Sequence, residues 1–512
     1  MGKEGKFCIP LTIKMVSFLQ IFFMNIKRAI ISVYDKTNLE DLASFLFRNG
    51  VEIISTEGTN KYLEEKGIPT VKMADYIGFP EILGGRVKSI DPKLAGGILA
   101  KSNDKKHEEE MINYNIKRID MVVGNFPTFE EIAKKTKNEE SLLEYIDIGG
   151  YSLLRGAAKN YKDVVALVDP KDYQTVIDNL EDCGDVPLQL RRKLALKVFF
   201  STSKYDASIH KIFSELFAAE KFDHEFFEIL GNLRYGSNPM QEAILMKFLE
   251  EDSFIDYLEN LTFHKKPTLR ILKDIKLLFH LASFTNNEFL GFAKKGIFVF
   301  GYSSPTDEEK EQFIRIIKEL KGGVVYSDDP NIITELKDSK HDGLMTSYNL
   351  EKKEEILSFK PMVFKVNKKV LKRDEEYIVD GDLVVKQNFQ EIALDLSPSE
   401  QLGFEVAKVH KSDTAVYVKN NLISSGNQSC LNREIALNAL ENTLERFEVL
   451  PKEGTIIFDS PINSQKIIDI ILNWKVEKVI VPPTLPGYEK YLKDLEEKGI
   501  TLLVTQRRYH RY

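Results

Sequence analysis

Within one fifteen-residue stretch, Ile146 to Asn160 (IDIGGYSLLRGAAKN), the chain carries the residue types for acid–base work on a bound anion. Ile-Asp-Ile reads as the end of a buried strand. Gly149-Gly150 reads as a turn where backbone can approach a ligand closely. Leu153, Leu154, Ala157 and Ala158 then follow at helical spacing, and Arg155 and Lys159, four apart, share a helix face. Strand, glycine turn and helix N-terminus together form an anion site, because free N–H groups and the helix dipole point toward it. Asp147 and Lys159 would set an acid and a base beside that anion. The same residues also suit a glycine-capped turn with a solvated Arg/Lys face, so the stretch does not decide the matter alone.

The elements that would position these groups repeat along the first third of the chain. Arg28 to Val33 is apolar and β-branched, a buried strand, and Asp35-Lys36-Thr37 follows as a loop. Asn38 is placed to cap a helix whose apolar face is Leu39, Leu42, Phe45 and Leu46. Val51 to Ile54 is a second strand, with Ser55-Thr56-Glu57-Gly58-Thr59 as its loop. Hydroxyls, glycine and lysine at two successive strand–helix junctions suit phosphate, although neither junction is a P-loop or a GxGxxG and each also reads as a capped turn. Gly84 to Leu99 (GGRVKSIDPKLAGGIL) holds two glycine pairs around Arg86, Lys88 and Lys93. Asp120 to Asn125 and Asp163 to Val168 supply further strands. Alternating strands and helices predict a parallel α/β sheet. Ligands of such sheets sit at the carboxyl ends of the strands, where Lys36, Thr59, Asn125 and Asp147 fall.

Bulk composition narrows the classes. A chain of 512 residues accommodates two to four domains. A hydrophobic share of 43% and a charged share of 29% are ordinary for a soluble protein. Net charge is −7 with both signs interspersed, which argues against a nucleic-acid partner. Cys8, Cys183 and Cys430 are far apart and the eight histidines are scattered, so no metal-ligand spacing exists and a reducing, cytoplasmic setting is expected. Cys8 to Met24 is apolar but broken by Pro10 and Lys14, too short for a membrane span. It reads as an extension ahead of a natural start at Met24, with a weak signal peptide as the alternative.

Further on, Gln189 to Lys221 is strongly helical, suited to a bridge between domains. Leu233 to Gln241 (LRYGSNPMQ) is a compact polar loop. Beyond it, Gly296–Phe300, Gly323–Tyr326, Thr414–Val418, Thr455–Phe458 and Lys478–Val481 read as strands. Lys310–Lys321 and Ser464–Trp474 read as amphipathic helices. No short-period repeat is visible.

In order, SVYDKT, STEGT, GFPEILGGRVKSIDPKLAGGIL, IDIGGYSLLRGAAKN and LRYGSNPMQ resemble the bifunctional purine-biosynthesis family, AICAR transformylase/IMP cyclohydrolase. The resemblance is close from Arg28 to about Gln241 and thin afterwards. It implies a methylglyoxal-synthase-like parallel-sheet domain followed by a cytidine-deaminase-like mixed α/β domain. The expected boundaries are 1–23 extension, 24–188 cyclohydrolase-like, 189–227 helical bridge, and 228–512 transformylase-like with two subdomains. It further implies a homodimer acting on formyl-AICAR, AICAR and IMP, with no metal and no cofactor for ring closure. 10-Formyltetrahydrofolate would be a cosubstrate only if formyl transfer is active. Ser32, Lys36, Thr37, Thr56, Gly58, Thr59 and Arg86 match the phosphate and nucleotide site. Lys88, Asn125, Asp147 and Lys159 match the ring-closure site. Asp147 would help take the carboxamide proton, and Lys88 and Lys159 would support the oxyanion. Arg234, Tyr235, Gly236 and Asn238 match AICAR-binding positions.

The departures are informative. Tyr34 stands where the family has serine, Glu57-Gly58 where it has a glycine pair, and Asp91 where it has histidine. NFPTFE replaces NLYPFE, so Pro127 stands at the active-site tyrosine. In the second half, Gly301 to Pro305 lacks the family's Lys-His pair, Asp413 replaces an asparagine, and the glutamine-bearing segment survives only as SSGNQSCLNR. DAFFPF is reduced to Asp459-Ser460-Pro461, and Tyr512 replaces the terminal histidine. His410, His264 and His280 are candidates for a replacement base, with structural roles as the alternative. These changes predict an IMP cyclohydrolase joined to an impaired formyltransferase half. The alternatives are a fully bifunctional enzyme and a non-catalytic nucleotide-binding regulator.

Overall fold

The computed structural model describes residues 24–218, 224–236, 239–249, 252–262, 264–350, 353–371, 375–380, 383–388, 394–410, 413–426, 432–484 and 486–505. The chain divides into two compact units, Met1–Glu225 and Phe226–Tyr512.

The first unit is built on five strands: β1 (Arg28–Val33), β2 (Glu52–Ser55), β3 (Val71–Lys72), β4 (Met121–Asn125) and β5 (Val165–Leu167). Their order is β3-β2-β1-β4-β5, and every neighbouring pair is parallel. Successive residues of β1 face opposite sides, as the pleat requires. Ala29, Ile31 and Val33 pack with Leu39, Leu42 and Leu46 of one helix and Val176 and Leu180 of another. Ile30 faces the other way, with Ile54 and Val122, toward Leu94, Ile98, Leu153, Leu154 and Ala158. Both faces are therefore covered, which is why the strands read as continuous apolar runs. The chain winds outward from β1 to β3, then returns to place β4 on β1's other side. That reversal makes β1/β4 the switch point, where a crevice opens at the carboxyl ends.

Two expectations for the central stretch are corrected. Ile146 to Ile148 is not a strand end: it is an unpaired segment between the helices Glu139–Glu144 and Gly149–Lys159, and Ile148 is 58% exposed. Gly149-Gly150 is not a turn but the first two residues of the second helix. What requires glycine there is space. A Cβ on Gly149 would lie 2.0 Å from Ser89 Oγ, and one on Gly150 would lie 2.4 Å from Phe126 Cζ. Asn38 occupies the N-cap position of Leu39–Arg48 in a left-handed conformation but makes no side-chain capping bond. Leu188–Phe217, read from the sequence as a bridge, buries Leu194, Ala195 and Val198 in the two cores of the first unit.

The second unit has, among the described residues, an eleven-stranded mixed sheet. It runs from Thr501–Val504 through Lys478–Val481, Thr455–Phe458, Ala415–Lys419, Leu422–Gly426, Ile297–Ser303, Phe289–Lys294, Val324–Ser327, Gly343–Thr346 and Met362–Val366 to Leu258–Asn260. The topology contains a duplication. Helix Leu269–Phe284 leads into the hairpin Phe289–Lys294/Ile297–Ser303, then into three strands separated by helices. Helix Pro398–Val409 leads into the hairpin Ala415–Lys419/Leu422–Gly426, then into three more strands in the same arrangement. The equivalent strands Ile297–Ser303 and Leu422–Gly426 pair antiparallel at the centre, with Gly301 opposite Ile423. An approximate twofold axis thus relates the halves. LRYGSNPMQ lies in the connection of a separate hairpin, Phe227–Asn232 with Ile244–Phe248.

Candidate active site

The crevice at the β1/β4 switch is a cleft of about 420 Å³, lined by Val33, Tyr34, Lys36, Thr56, Glu57, Gly58, Thr59, Glu81 and Lys88. Its floor is organised by hydroxyls. Ser32 Oγ lies 3.1 Å from Thr56 Oγ1. Thr59 is buried, and its Oγ1 accepts from the Val33 N–H at 3.2 Å. Lys36 Nζ donates to Thr59 Oγ1 at 3.1 Å and to the Val33 carbonyl. Burial holds the Lys36 ammonium below its ordinary pKa, partly offset by Asp35. A Cβ on Gly58 would meet nothing within 4 Å, so the helix N-terminus at Glu57–Glu65 is open to the cleft.

Asn125, at the end of β4, holds the loop that carries Tyr34 and Lys36. Its Oδ1 accepts from the N–H groups of Tyr34 (2.8 Å) and Asp35 (2.7 Å), and its Nδ2 donates to the Asp35 carbonyl at 3.0 Å. These three bonds tie the side chain to the loop, so Asn125 acts as a positioning group. Thr37 turns the loop: its N–H and Oγ1 both donate to Asp35 Oδ1, at 2.9 and 2.6 Å. Those bonds hold the Asp35 carboxyl below its usual range.

Asp147 sits beyond the start of the Gly149–Lys159 helix, with Oδ1 accepting from Tyr151 N–H at 3.2 Å. Burial raises its carboxyl above the usual carboxylate range, offset only in part by the Tyr151 and Gly150 N–H groups and the charge of Lys88. Lys88 has no hydrogen bond or ion-pair partner among the described residues, and it faces both the cleft and Asp147. A cation, a partly buried carboxylate and a hydroxyl-lined floor are thus gathered at one end of the sheet. Around Asp147 stand three rings that the sequence reading did not single out. Phe126 stacks on Tyr151 and Tyr151 on Tyr205, both with centroids 4.3 Å apart. Tyr205 lies on Leu188–Phe217, 58 residues from Asp147, so no local spacing announced it.

Two expected members stand elsewhere. Lys159 is at the far end of the helix that begins beside Asp147; ten residues at about 1.5 Å each separate the two ends by about 15 Å. It is exposed and cannot flank the same anion as Asp147 within one chain. Arg86 is exposed too and turns to Glu144, with Nε 3.3 Å from Oε2. Asp91 caps the helix Pro92–Leu99 through the Lys93 N–H at 2.7 Å.

In the second unit, Gly236 N–H donates to the Gln241 carbonyl at 2.8 Å. Gly236 is buried, Tyr235 half-buried and Arg234 exposed over the Tyr235 ring. Asn238, Gln428 and Tyr512 lie outside the described residues. His410 is fully buried, its Nε2 accepts from Phe298 N–H at 3.1 Å, and burial pushes the imidazole down to about 4. His280 lies 3.1 Å from Glu405; against burial, that bond and Lys408 hold the Glu405 carboxyl at about 2. Both imidazoles therefore have structural partners. No group of His, Cys, Asp and Glu among the described residues could hold a metal, and no described helix is long and apolar enough to cross a membrane.

Comparison with known proteins gives the family. The family model for the AICARFT/IMPCHase bienzyme matches residues 157–287, and the model for the MGS-like domain matches residues 38–152. The bifunctional purine biosynthesis protein PurH of Clostridium botulinum (Loch Maree) is 31% identical over 529 residues, spanning 95% of this chain and all of that protein. PurH of Clostridium acetobutylicum is 34% identical over 423 residues, 77% of this chain and 83% of that protein. PurH of Acetivibrio thermocellus is 44% identical over 226 residues, 43% and 44% of the two chains. With an MGS-like parallel-sheet unit ahead of a mixed-sheet unit, and a relative matched along its whole length, the chain belongs to the bifunctional purine biosynthesis (PurH) family of enzymes.

Proposed function

We propose that this chain acts in IMP biosynthesis and that its first unit closes formyl-AICAR to IMP. The observation that carries the reading is Lys88: a cation with no partner among the described residues, lining a hydroxyl-rich cleft, whose charge acts on the partly buried Asp147 carboxylate. The phosphate would lie over Thr56, Gly58 and Thr59, on the helix N-terminus and near Lys36. Ring closure joins the carboxamide nitrogen to the formyl carbon. Asp147 takes the proton from that nitrogen, and its raised pKa makes it a stronger base than an exposed carboxylate. Lys88 stabilises the charge that develops on the formyl oxygen and protonates it to a hydroxyl. That hydroxyl leaves as water with a second proton, the one Asp147 took from the carboxamide, while the formamide nitrogen gives up its N–H to solvent as the C=N bond forms and Lys88 regains its proton. Asn125 fixes the loop bearing Lys36 and Tyr34. A contribution from Lys159 to the same site requires Lys159 of the partner subunit in a homodimer. Ring closure on this reading needs no cofactor, and a cytoplasmic setting follows from the substrate class.

Formyl transfer in the second unit would be impaired. Where the resemblance calls for a Lys-His pair, Tyr302 donates its hydroxyl to Gln312 at 3.0 Å and Ser303 is buried. The second reading is full bifunctionality, favoured by the relatives' name and by the length of the match. The deciding experiment follows conversion of formyl-AICAR to IMP by ultraviolet absorbance, and folate-dependent formylation of AICAR, on the same purified chain. Turnover in the first assay that collapses in Lys88→Ala supports the ring-closure reading. No turnover by the folded wild type defeats it. Formylation with 10-formyltetrahydrofolate overturns the impaired half. Loss in Lys159→Ala as well would indicate the partner's lysine.

A further inference from the structure

We propose that the stack Phe126–Tyr151–Tyr205 positions Asp147: it excludes water from the carboxyl and fixes the main chain that aims it. The proposal rests on the ring-closure reading for its purpose, not for its geometry. The three rings come from three elements: the end of β4, the first turn of Gly149–Lys159, and the middle of Leu188–Phe217. The two contacts have centroids 4.3 Å apart and interplanar angles of 26° and 20°. Phe129 closes the far side edge-on to Tyr205 at 6.1 Å. The stack ends on Asp147 in two ways. Tyr205 Oη accepts from the Asp147 N–H at 3.0 Å and donates to the Tyr145 carbonyl at 3.2 Å. Gly150 leaves no room between ring and carboxyl, since a Cβ there would lie 2.4 Å from Phe126 Cζ and 3.0 Å from Asp147 Oδ1.

Tyr151 and Tyr205 also belong to a small apolar cluster with Phe129, Ile132 and Leu142, and the Tyr205 hydroxyl fixes the main chain at Tyr145 and Asp147. The stack ties Asp147 to a helix that begins forty-one residues downstream in the chain, at Leu188. The charged and titratable groups around Asp147 are Lys88 on the GRVKS segment, Tyr151 on its own helix, and Tyr205 on the long helix. Asp206 follows Tyr205 and acts on both phenols. Lys88 is the sole cation in that set, so the carboxyl's proton affinity depends on how much water the rings exclude. Tyr151 and Tyr205 act through Asp147 and are positioning residues.

The test uses the full chain labelled with carbon-13 aspartate. The Asp147 carboxyl resonance is identified as the one missing in Asp147→Asn and is followed against pH. Tyr151→Ala removes the middle ring, and Tyr151→Leu leaves a smaller apolar side chain without the stack. Either is expected to lower the Asp147 midpoint by about one pH unit toward that of an exposed aspartate. Tyr205→Phe keeps the stack and loses the main-chain bond. It is expected to lower kcat for formyl-AICAR about tenfold with KM within about twofold, as misplacement of a base does. A wild-type midpoint in both Tyr151 variants overturns the proposal, as does wild-type kcat in Tyr205→Phe. If the wild type fails to turn over, the ring-closure reading fails, and the carboxyl midpoint still decides the role of the stack.

Discussion

Gly150→Ala tests the crowding beside Asp147 most directly. The added methyl would lie 2.4 Å from Phe126 Cζ, 2.6 Å from Cε1 and 3.0 Å from Asp147 Oδ1. Carbon–carbon contacts settle at about 3.5–4.0 Å, so the ring must retreat by about 1 Å, and it is held from behind by Tyr151. Overpacking of this kind costs about 1–3 kcal/mol, and alanine's helix preference over glycine returns at most about 1 kcal/mol. A net loss of about 1–2 kcal/mol is expected. Urea unfolding followed by circular dichroism measures it. The single tryptophan, Trp474, is in the second unit, and its emission supplies an internal reference. Phe126→Ala makes room for the methyl, so the double mutant should be more stable than the summed single effects by about 1 kcal/mol or more. Because Asp147 Oδ1 is also crowded, ring closure should fall in Gly150→Ala and not be restored by Phe126→Ala. Wild-type stability in Gly150→Ala, or an additive cycle, would refute the reasoning.

Three further outcomes follow from the same geometry. Asp147's folded pKa is raised above its unfolded value, so the folded state binds the proton more tightly and stability is lost as pH rises from the unfolded value through the folded one. Asp147→Asn keeps the capping oxygen; it should melt higher than wild type at neutral pH, with the difference vanishing below about pH 4, while ring closure is lost. Glu57 adds a negative charge where phosphate is expected; Glu57→Gly should lower KM for formyl-AICAR about threefold or more at low salt, less at high salt, with kcat unchanged. Asn125→Ala removes three hydrogen bonds to the Tyr34–Asp35 segment and should cost about 2–4 kcal/mol in urea unfolding while raising KM.

Legibility in the sequence followed the range of the interaction. The β-branched runs Arg28–Val33, Thr455–Phe458 and Lys478–Val481 stand where the pattern placed them, because a doubly covered strand needs apolar residues on both faces. Glycines misled at 149 and 150: their chemistry signals a turn, but the cause was the closeness of Ser89 and Phe126, which come from elsewhere in the fold. Lys159 misled in another way. Its spacing from Arg155 gave the correct face, while the distance to Asp147 depended on the helix beginning at Gly149 rather than ending near it. Tyr205 and the loop-holding role of Asn125 depend on contacts 58 and about 90 residues away, which no window along the chain contains. The two-part second unit is expected from the resemblance alone, because its halves share topology rather than residues.

That duplication bears on how the second unit assembles. Each half owns its hairpin and its three following strands, so most of its pairing is made between segments near each other in the chain. The seam between Ile297–Ser303 and Leu422–Gly426 joins the two halves and closes a span of more than a hundred residues, as does the edge pairing of Leu258–Asn260 with Met362–Val366. Loop-closure entropy rises only about 0.6 kcal/mol per doubling of length, so the seam is slow to find rather than weak once found. The halves are therefore expected to form first and the seam last. A chain cut between Val366 and Pro398 would yield two fragments, each with an open strand edge complementary to the other, able to recombine into one sheet.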